Sequence, residues 1–135
     1  MSAESRREEF LVDTTWLAAR LADPAIRIVD TRGVVRPPHG PTPWYLESRE
    51  AYADDHLPGA VYVDIDDISD SGTDLPHMLP SPEKFSSKVR KLGLGDGSRI
   101  VVYDANGGFM AAHRVWWMFR VYGHRDVAVL DGGLL

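Results

Sequence analysis

Asp104 closes the apolar run Ile100, Val101, Val102, Tyr103 and is followed by Asn106, Gly107 and Gly108, in a chain that contains no cysteine. An apolar strand that ends in a carboxylate and turns through glycines into a helix puts that carboxylate at the carboxyl edge of a sheet, where open α/β folds bind ligands. Backbone N–H groups of such a loop, together with the following helix N-terminus, make a cradle for an anion. A carboxylate at its centre has two uses. It can satisfy the loop N–H groups from within, or it can act on a bound substrate; the first is the stronger reading, because buried N–H groups need acceptors. A thiol nucleophile, a thiolate metal site and a disulfide are all excluded within this chain.

A second concentration of chemistry lies in "DIDDISDSGTDLPHMLP", residues 64 to 80. Asp67, Ser69, Ser71 and Gly72 partly imitate a calcium loop, but the position that should carry a bidentate Glu is Met78. Asp64-x-Asp66 and Asp104-x-Asn106 both follow apolar runs, as the first motif of magnesium-dependent aspartyl phosphatases does. Such enzymes need a lysine and paired acids on later strands, whereas Lys84, Lys88 and Lys91 all fall on one predicted helix. Five histidines without tight spacing predict no metal site, and nothing calls for a cofactor.

The elements that must position these groups alternate. Asp13 or Thr14 can cap a short helix with Trp16, Leu17, Ala18 and Leu21 at helical spacing, stopped by Asp23-Pro24. Ile26, Ile28 and Val29 make a strand that ends at Asp30-Thr31-Arg32. Pro37, Pro38, Pro41 and Pro43 then predict an irregular surface loop. Helical character returns from Glu47 to Asp54, and "DDHLPGA" turns the chain into a strand from Ala60 to Val63. Ser81 caps and Pro82 starts a helix with Phe85, Val89 and Leu92 on one face, ended by Gly93. After the strand at Ile100, a long helix carries Val115, Met118, Phe119 and Tyr122 at core spacing, Gly123 ends it, and Val127 to Leu130 form the last strand. Alternation of this kind predicts an α/β fold, with a central parallel sheet covered by helices on both faces. Leu134-Leu135 follow Gly132-Gly133 directly, so the expectation is a cut within a larger fold, with the helix that should cover the last strand missing.

Composition narrows the partners. With 135 residues, 44% apolar and 26% charged, the chain has the material for one domain with one core. A net charge of −5, with no basic run longer than Arg6-Arg7, argues against nucleic acid. Apolar stretches such as Val115 to Phe119 fall far short of the roughly 20 residues of a membrane span. "MSAESRREEF" has no apolar segment of a secretory signal, so the expected location is the cytoplasm.

With "DTR" after the first core strand, then "DDHLPGA", "RVWWMFRVYGH" and "VLDGG" in this order, the chain resembles the rhodanese domain of sulfurtransferases from about Val12 to Gly133. More narrowly, it is similar to the amino-terminal half of tandem-domain thiosulfate or 3-mercaptopyruvate sulfurtransferases. The resemblance implies a second rhodanese domain as partner, whose cysteine carries the sulfur, and a small anionic sulfur donor. Asp104 stands where the family's active domain has that cysteine, and a carboxylate cannot replace a polarizable thiolate. It also implies that Asp66 and His77, the latter opening "HMLP", face the cleft between domains and form a relay to a serine of the second domain, as in the mercaptopyruvate branch. A carboxylate fixing an imidazole that serves a hydroxyl is sound chemistry; the alternative is that Asp66 caps a turn and His77 packs under Met78. On this reading residues 1–135 are inactive alone. A stand-alone rhodanese-like binding or regulatory module is the other expectation, with one of Trp116 and Trp117 facing a neighbouring surface.

The remaining candidates are structural in expectation. His56 should bond backbone in the turn before Pro58-Gly59. Arg32 should pair with an acid at the sheet edge, its identity left open. His113 and Arg114 either approach an anion at the glycine loop or form a solvated helix face.

Overall fold

A computed structural model describes residues 10–35, 45–65, 67–70, 72, 78–95, 97–105 and 111–131. Five strands form one parallel sheet: β1 (Leu11–Val12), β2 (Ile26–Asp30), β5 (Val61–Tyr62), β6 (Arg99–Tyr103) and β7 (Val127–Leu130). Their order is β1-β7-β6-β2-β5, with β6 at the centre. A separate antiparallel ribbon pairs β3 (Gly33–Val35) with β4 (Tyr45–Glu47). The helices are α1 (Thr14–Ala18), α2 (Arg49–Asp54), α3 (Pro82–Lys91) and α4 (Ala111–Val121).

Strand alternation divides the core into two layers, because successive side chains point to opposite faces. Ile100 and Val102 of β6, with Val29, Val127 and Val129, meet Phe85 and Val89 of α3 and Val115, Met118 and Phe119 of α4. On the other face Val101 and Tyr103, with Ile28, Ala128 and Leu130, meet Leu17 of α1 and the flank of α2 at Tyr52. The four residues that follow Arg99 in β6 are fully buried, which is why this strand reads as a continuous apolar run rather than an alternating one.

Local signals act where the sequence places them. The Asp13 carboxylate accepts the Trp16 N–H at 2.8 Å at the start of α1, and the Ser81 hydroxyl accepts the Lys84 N–H at 3.1 Å at the start of α3. Gly123 ends α4 at φ 94°, a conformation that costs glycine least.

Three elements differ from expectation. Helix α1 stops at Ala18, and Leu21 is exposed: the Arg20 guanidinium folds back over the Trp16 ring and donates to the Trp16 carbonyl, in a turn that takes Leu21 off the helical face. Glu47 ends a strand rather than beginning a helix, and α2 starts only at Arg49. The strand expected from Ala60 to Val63 is Val61–Tyr62, because Ala60 closes a turn by donating to the Leu57 carbonyl. The pairs β1–β7 and β3–β4 were not foreseen, since two- and three-residue strands carry no periodicity. Pro37, Pro38, Pro41, Pro43 and the terminal residues 132–135 lie outside the described residues.

Candidate functional site at the carboxyl edge of the sheet

The chain moves from β2 out to β5 and then returns to β6 on the other side of β2, so the carboxyl ends of β2 and β6 flank the point where the winding reverses. Ligands of open α/β sheets gather at such a point. Here Asp30-Thr31-Arg32 leaves β2 and Tyr103-Asp104 leaves β6, with Asp30 beside Tyr103 in register. All five residues are buried.

Asp104 continues the Ile100, Val102 alternation and therefore points toward α4. It is 1% exposed, and its Oδ2 accepts the backbone N–H of Ala112 at 3.1 Å. First-turn N–H groups have no partner within their own helix, and that end carries the positive pole of the helix dipole. The carboxylate thus acts as a built-in anion for α4, eight positions upstream of the N–H it accepts. Asn106, Gly107 and Gly108, the loop of the expected cradle, lie outside the described residues.

Asp30 points to the other face and has a different solution. The Arg32 Nε donates to its two carboxylate oxygens at 3.2 and 3.0 Å, and Nη2 approaches Oδ2 at 2.8 Å. The Tyr103 hydroxyl donates to the same Oδ2 at 2.8 Å and accepts the Leu57 N–H at 3.2 Å. Arg32 also donates to the Asp55 carbonyl at 2.5 Å and to its carboxylate at 3.2 Å. Burial pulls the guanidinium pKa down, but the hydrogen bonds and charge of Asp30, with Asp55 behind them, hold it above its ordinary value. Burial raises the Tyr103 phenol well above its usual range; the Leu57 N–H bond works against this, and the bond to Asp30 and its charge add to it. Thr31 completes the junction, its N–H and hydroxyl both donating to the Tyr103 carbonyl at 2.9 Å.

"DDHLPGA" is tied to this cluster. His56 Nδ1 lies 2.7 Å from the Tyr52 carbonyl, and its ring stacks on Tyr52 at 4.0 Å. The Tyr52 hydroxyl donates to the Ala60 carbonyl, while Gly59 takes φ 76° between them. His56 is therefore a turn residue bonded to backbone, as expected. Tyr62 links β5 back to β2, donating to the Arg32 carbonyl at 2.8 Å and accepting the Ser48 N–H at 2.7 Å.

Asp66 and His77 lie outside the described residues, but both of their flanks are anchored. Asp67 pairs with Lys88 at 2.9 Å, the Ser69 hydroxyl donates to the Ile65 carbonyl at 2.6 Å, and the Lys84 ammonium donates to the Ser69 carbonyl. The Asp70 N–H donates to the Met78 carbonyl at 2.8 Å, bringing the two ends of the intervening segment together. The Tyr122 hydroxyl donates to the Pro80 carbonyl. Asp67 is thus paired with α3, and the Ser69 hydroxyl is turned to a carbonyl of its own segment. Among the described residues no group of three or more acidic or histidine side chains is placed to hold a metal, and Asp104 is turned into α4.

On α4, His113 is exposed, and burial lowers the Arg114 pKa. Trp116 is partly buried and its indole N–H donates to the Val127 carbonyl at 3.1 Å, whereas Trp117 is 43% exposed with the Arg114 guanidinium over its ring. The Tyr103–Asp30 pair is not evident from the sequence patterns. A tyrosine ending an otherwise aliphatic strand is the signal, because its hydroxyl needs a partner when buried.

A five-stranded parallel sheet with helices on both faces, and a buried acid at the exit of its central strand, defines an α/β domain of the type that holds ligands at its carboxyl edge. The chain belongs to the rhodanese-like domain family, whose model matches residues 13–135. It is 43% identical over 131 residues to the mitochondrial thiosulfate/3-mercaptopyruvate sulfurtransferase 1 of Arabidopsis thaliana, covering 93% of this chain and 31% of that protein. It is 39% identical over 125 residues to the 3-mercaptopyruvate sulfurtransferase of Escherichia coli K12, covering 93% of this chain and 42% of the relative. The crystal structure of SseA from Escherichia coli, described as a 3-mercaptopyruvate sulfotransferase of the rhodanese fold, superposes with a TM-score of 0.80 at 39% identity over 93% of this chain and 45% of that one. The chain therefore spans less than half the length of these relatives, which are sulfurtransferases. One is mitochondrial by name, so family membership does not carry the cytoplasmic expectation. Among the described residues no helix is long and apolar enough to cross a membrane.

Proposed function

We propose that this chain is the thiol-free, amino-terminal half of a two-domain sulfurtransferase, supplying one wall of the cleft in which a cysteine of the second domain works. The observation that carries this reading is Asp104. At the exit of the central strand, in a chain without cysteine, stands a carboxylate already bonded to the helix it faces. The length of the relatives and their names supply the rest.

The donor we favour is 3-mercaptopyruvate, with thiosulfate the alternative. When a thiolate takes the sulfur of 3-mercaptopyruvate, a persulfide forms and the departing carbon skeleton is an enolate that needs a proton to become pyruvate. Thiosulfate leaves sulfite, which needs no proton on carbon. A proton relay is useful to the first reaction only, and Asp66 with His77, serving a hydroxyl of the second domain, is its proposed form. The persulfide then passes its sulfur to cyanide or a thiol and regenerates the thiolate.

The decisive experiment is to assay residues 1–135 alone with mercaptopyruvate and cyanide. The expected result is thiocyanate at background, and formation above it overturns the proposal. In the longer protein, His77→Ala should slow turnover of mercaptopyruvate by about 10² or more while leaving the thiosulfate reaction near its original rate. Equal losses with both donors would remove the relay.

A rhodanese-like binding module is the second reading, favoured by Trp117 and Val121, both exposed one turn apart on α4. The reading frame after Leu135 separates the two: a further domain with a cysteine loop supports the enzyme, a stop codon the module.

A further inference from the structure

At the opposite edge of the sheet, where β1, β6 and β7 begin, the local charge has the opposite sign to the chain's. An open cleft of about 380 Å³ is lined by Phe10, Arg99, Arg120, Arg125 and Asp126. Three arginines and one aspartate line it, in a chain whose net charge is −5. We infer that this cleft binds a phosphate monoester dianion carried on a small flat apolar group.

Two of the arginines are held in place. The Arg99 guanidinium lies 5.2 Å from the centre of the Trp16 ring and pairs with Asp126 at 3.0 Å. The Arg120 guanidinium lies 5.2 Å from the centres of both the Phe10 and Trp116 rings, which meet edge to face at 6.1 Å. One Arg120 N–H reaches the Arg125 carbonyl at 3.4 Å, and the remaining N–H groups of its planar fork match phosphate oxygens two at a time. Stacking also settles the rotamer beforehand, so less side-chain entropy is lost on binding.

Charge matching sets the ligand's valence. Asp126 offsets Arg99, and among the described residues neither Arg120 nor Arg125 has a carboxylate within ion-pair distance. Arg120 sits in the last turn of α4, where the helix dipole favours a cation. That accounts for one arginine and not for the convergence of three from β6, α4 and the turn before β7. Two cations with no acid partner among the described residues match a dianion. Phe10, half-exposed before β1, offers its ring to whatever group carries the phosphate. The volume is in the range of about 300–1,000 Å³ typical of small-molecule sites.

The test uses phenyl phosphate, with benzenesulfonate as a monoanion of the same shape and benzyl alcohol as a neutral one, all at matched ionic strength. Trp16 and Trp116 report binding by fluorescence, because their rings stack on the arginines concerned. Phenyl phosphate should titrate saturably with one site, about tenfold tighter than benzenesulfonate, and benzyl alcohol should give no saturable signal. Arg125→Gln changes an exposed side chain that holds no other element, so the fold survives, and affinity should fall by about tenfold. Arg90→Gln, an exposed charge on α3, should leave affinity unchanged. Equal affinities for the two anions, or full affinity in Arg125→Gln, would overturn the site. Neither outcome bears on sulfur transfer, which concerns the other edge of the sheet.

Discussion

Two neighbouring parallel strands end in buried aspartates, and the protein accommodates them in different ways. At the end of β2, Asp30 is neutralised by a full charge, the Arg32 guanidinium two residues on, and by the Tyr103 hydroxyl from the adjacent strand. Beyond the end of β6, Asp104 faces the positive end of a helix and accepts the Ala112 N–H. One acid is matched by a cation the sequence supplies nearby, the other by a backbone arrangement that exists only once α4 has docked. The first kind of site is a clasp. The second is a carboxylate held by a helix N–H.

The comparison can be broken at several points. The largest effect is expected from Arg32→Met, which leaves the Asp30 carboxylate at 0% exposure without its cation. Breaking a buried pair from one side costs about 3–5 kcal/mol, and urea denaturation should show the loss as a lower midpoint. A midpoint within error of the parent would mean that the clasp is not the main support of this edge.

Tyr103→Phe should cost about 1–3 kcal/mol at neutral pH, because Asp30 and the Leu57 N–H each lose a partner. It also has a signature in pH. The folded-state phenol is raised above its unfolded value, so its contribution is fully present below about pH 10 and is lost as pH climbs toward the folded pKa. The parent should therefore lose stability above about pH 10 more steeply than the Phe variant. Parallel alkaline limbs would contradict the raised pKa.

Asp104→Asn keeps the shape and an acceptor but removes the charge facing α4. The expected loss is about 1 kcal/mol, the scale of a charge at a helix terminus, with faster hydrogen exchange at the Ala112 amide. A much larger loss would place Asp104 with Asp30 as a clasp. The smallest effect belongs to Asp55→Asn. This second partner of Arg32 has a side chain that is 83% exposed, and an exposed pair of this kind contributes about 0–1 kcal/mol. The contrast between Asp55 and Asp30 on one guanidinium separates charge from burial.

Much of the fold was legible in the sequence. Ser81-Pro82, Gly93, Gly123 and the apolar run to Tyr103 are local instructions, and α3, α4 and β6 formed where they stand. The short strands were not, because Leu11–Val12 becomes a strand only through its pairing with Val129 and Leu130. Arg32 was recognisable as the partner of an acid, yet nearness in sequence, which favours Asp30, does not reveal Asp55 as its second partner. Only the return of β6 beside β2, which brings Tyr103 onto Asp30, and the turn at Gly59, which brings Asp55 within reach, made the choice.

What the sequence determined by itself is chemical: a chain without cysteine carries no thiolate, and the ordered motifs from "DTR" to "VLDGG" assign it to the rhodanese-like family. Which side chains share an environment depends on the folded arrangement instead. Asp104 and the Ala112 N–H are eight residues apart, Asp30 and Tyr103 seventy-three, and Phe10 with Arg120 more than a hundred. Local preference acts over a few residues. The energy of a buried charge or a stacked guanidinium depends instead on atoms that come together only when the sheet closes its register and its helices dock.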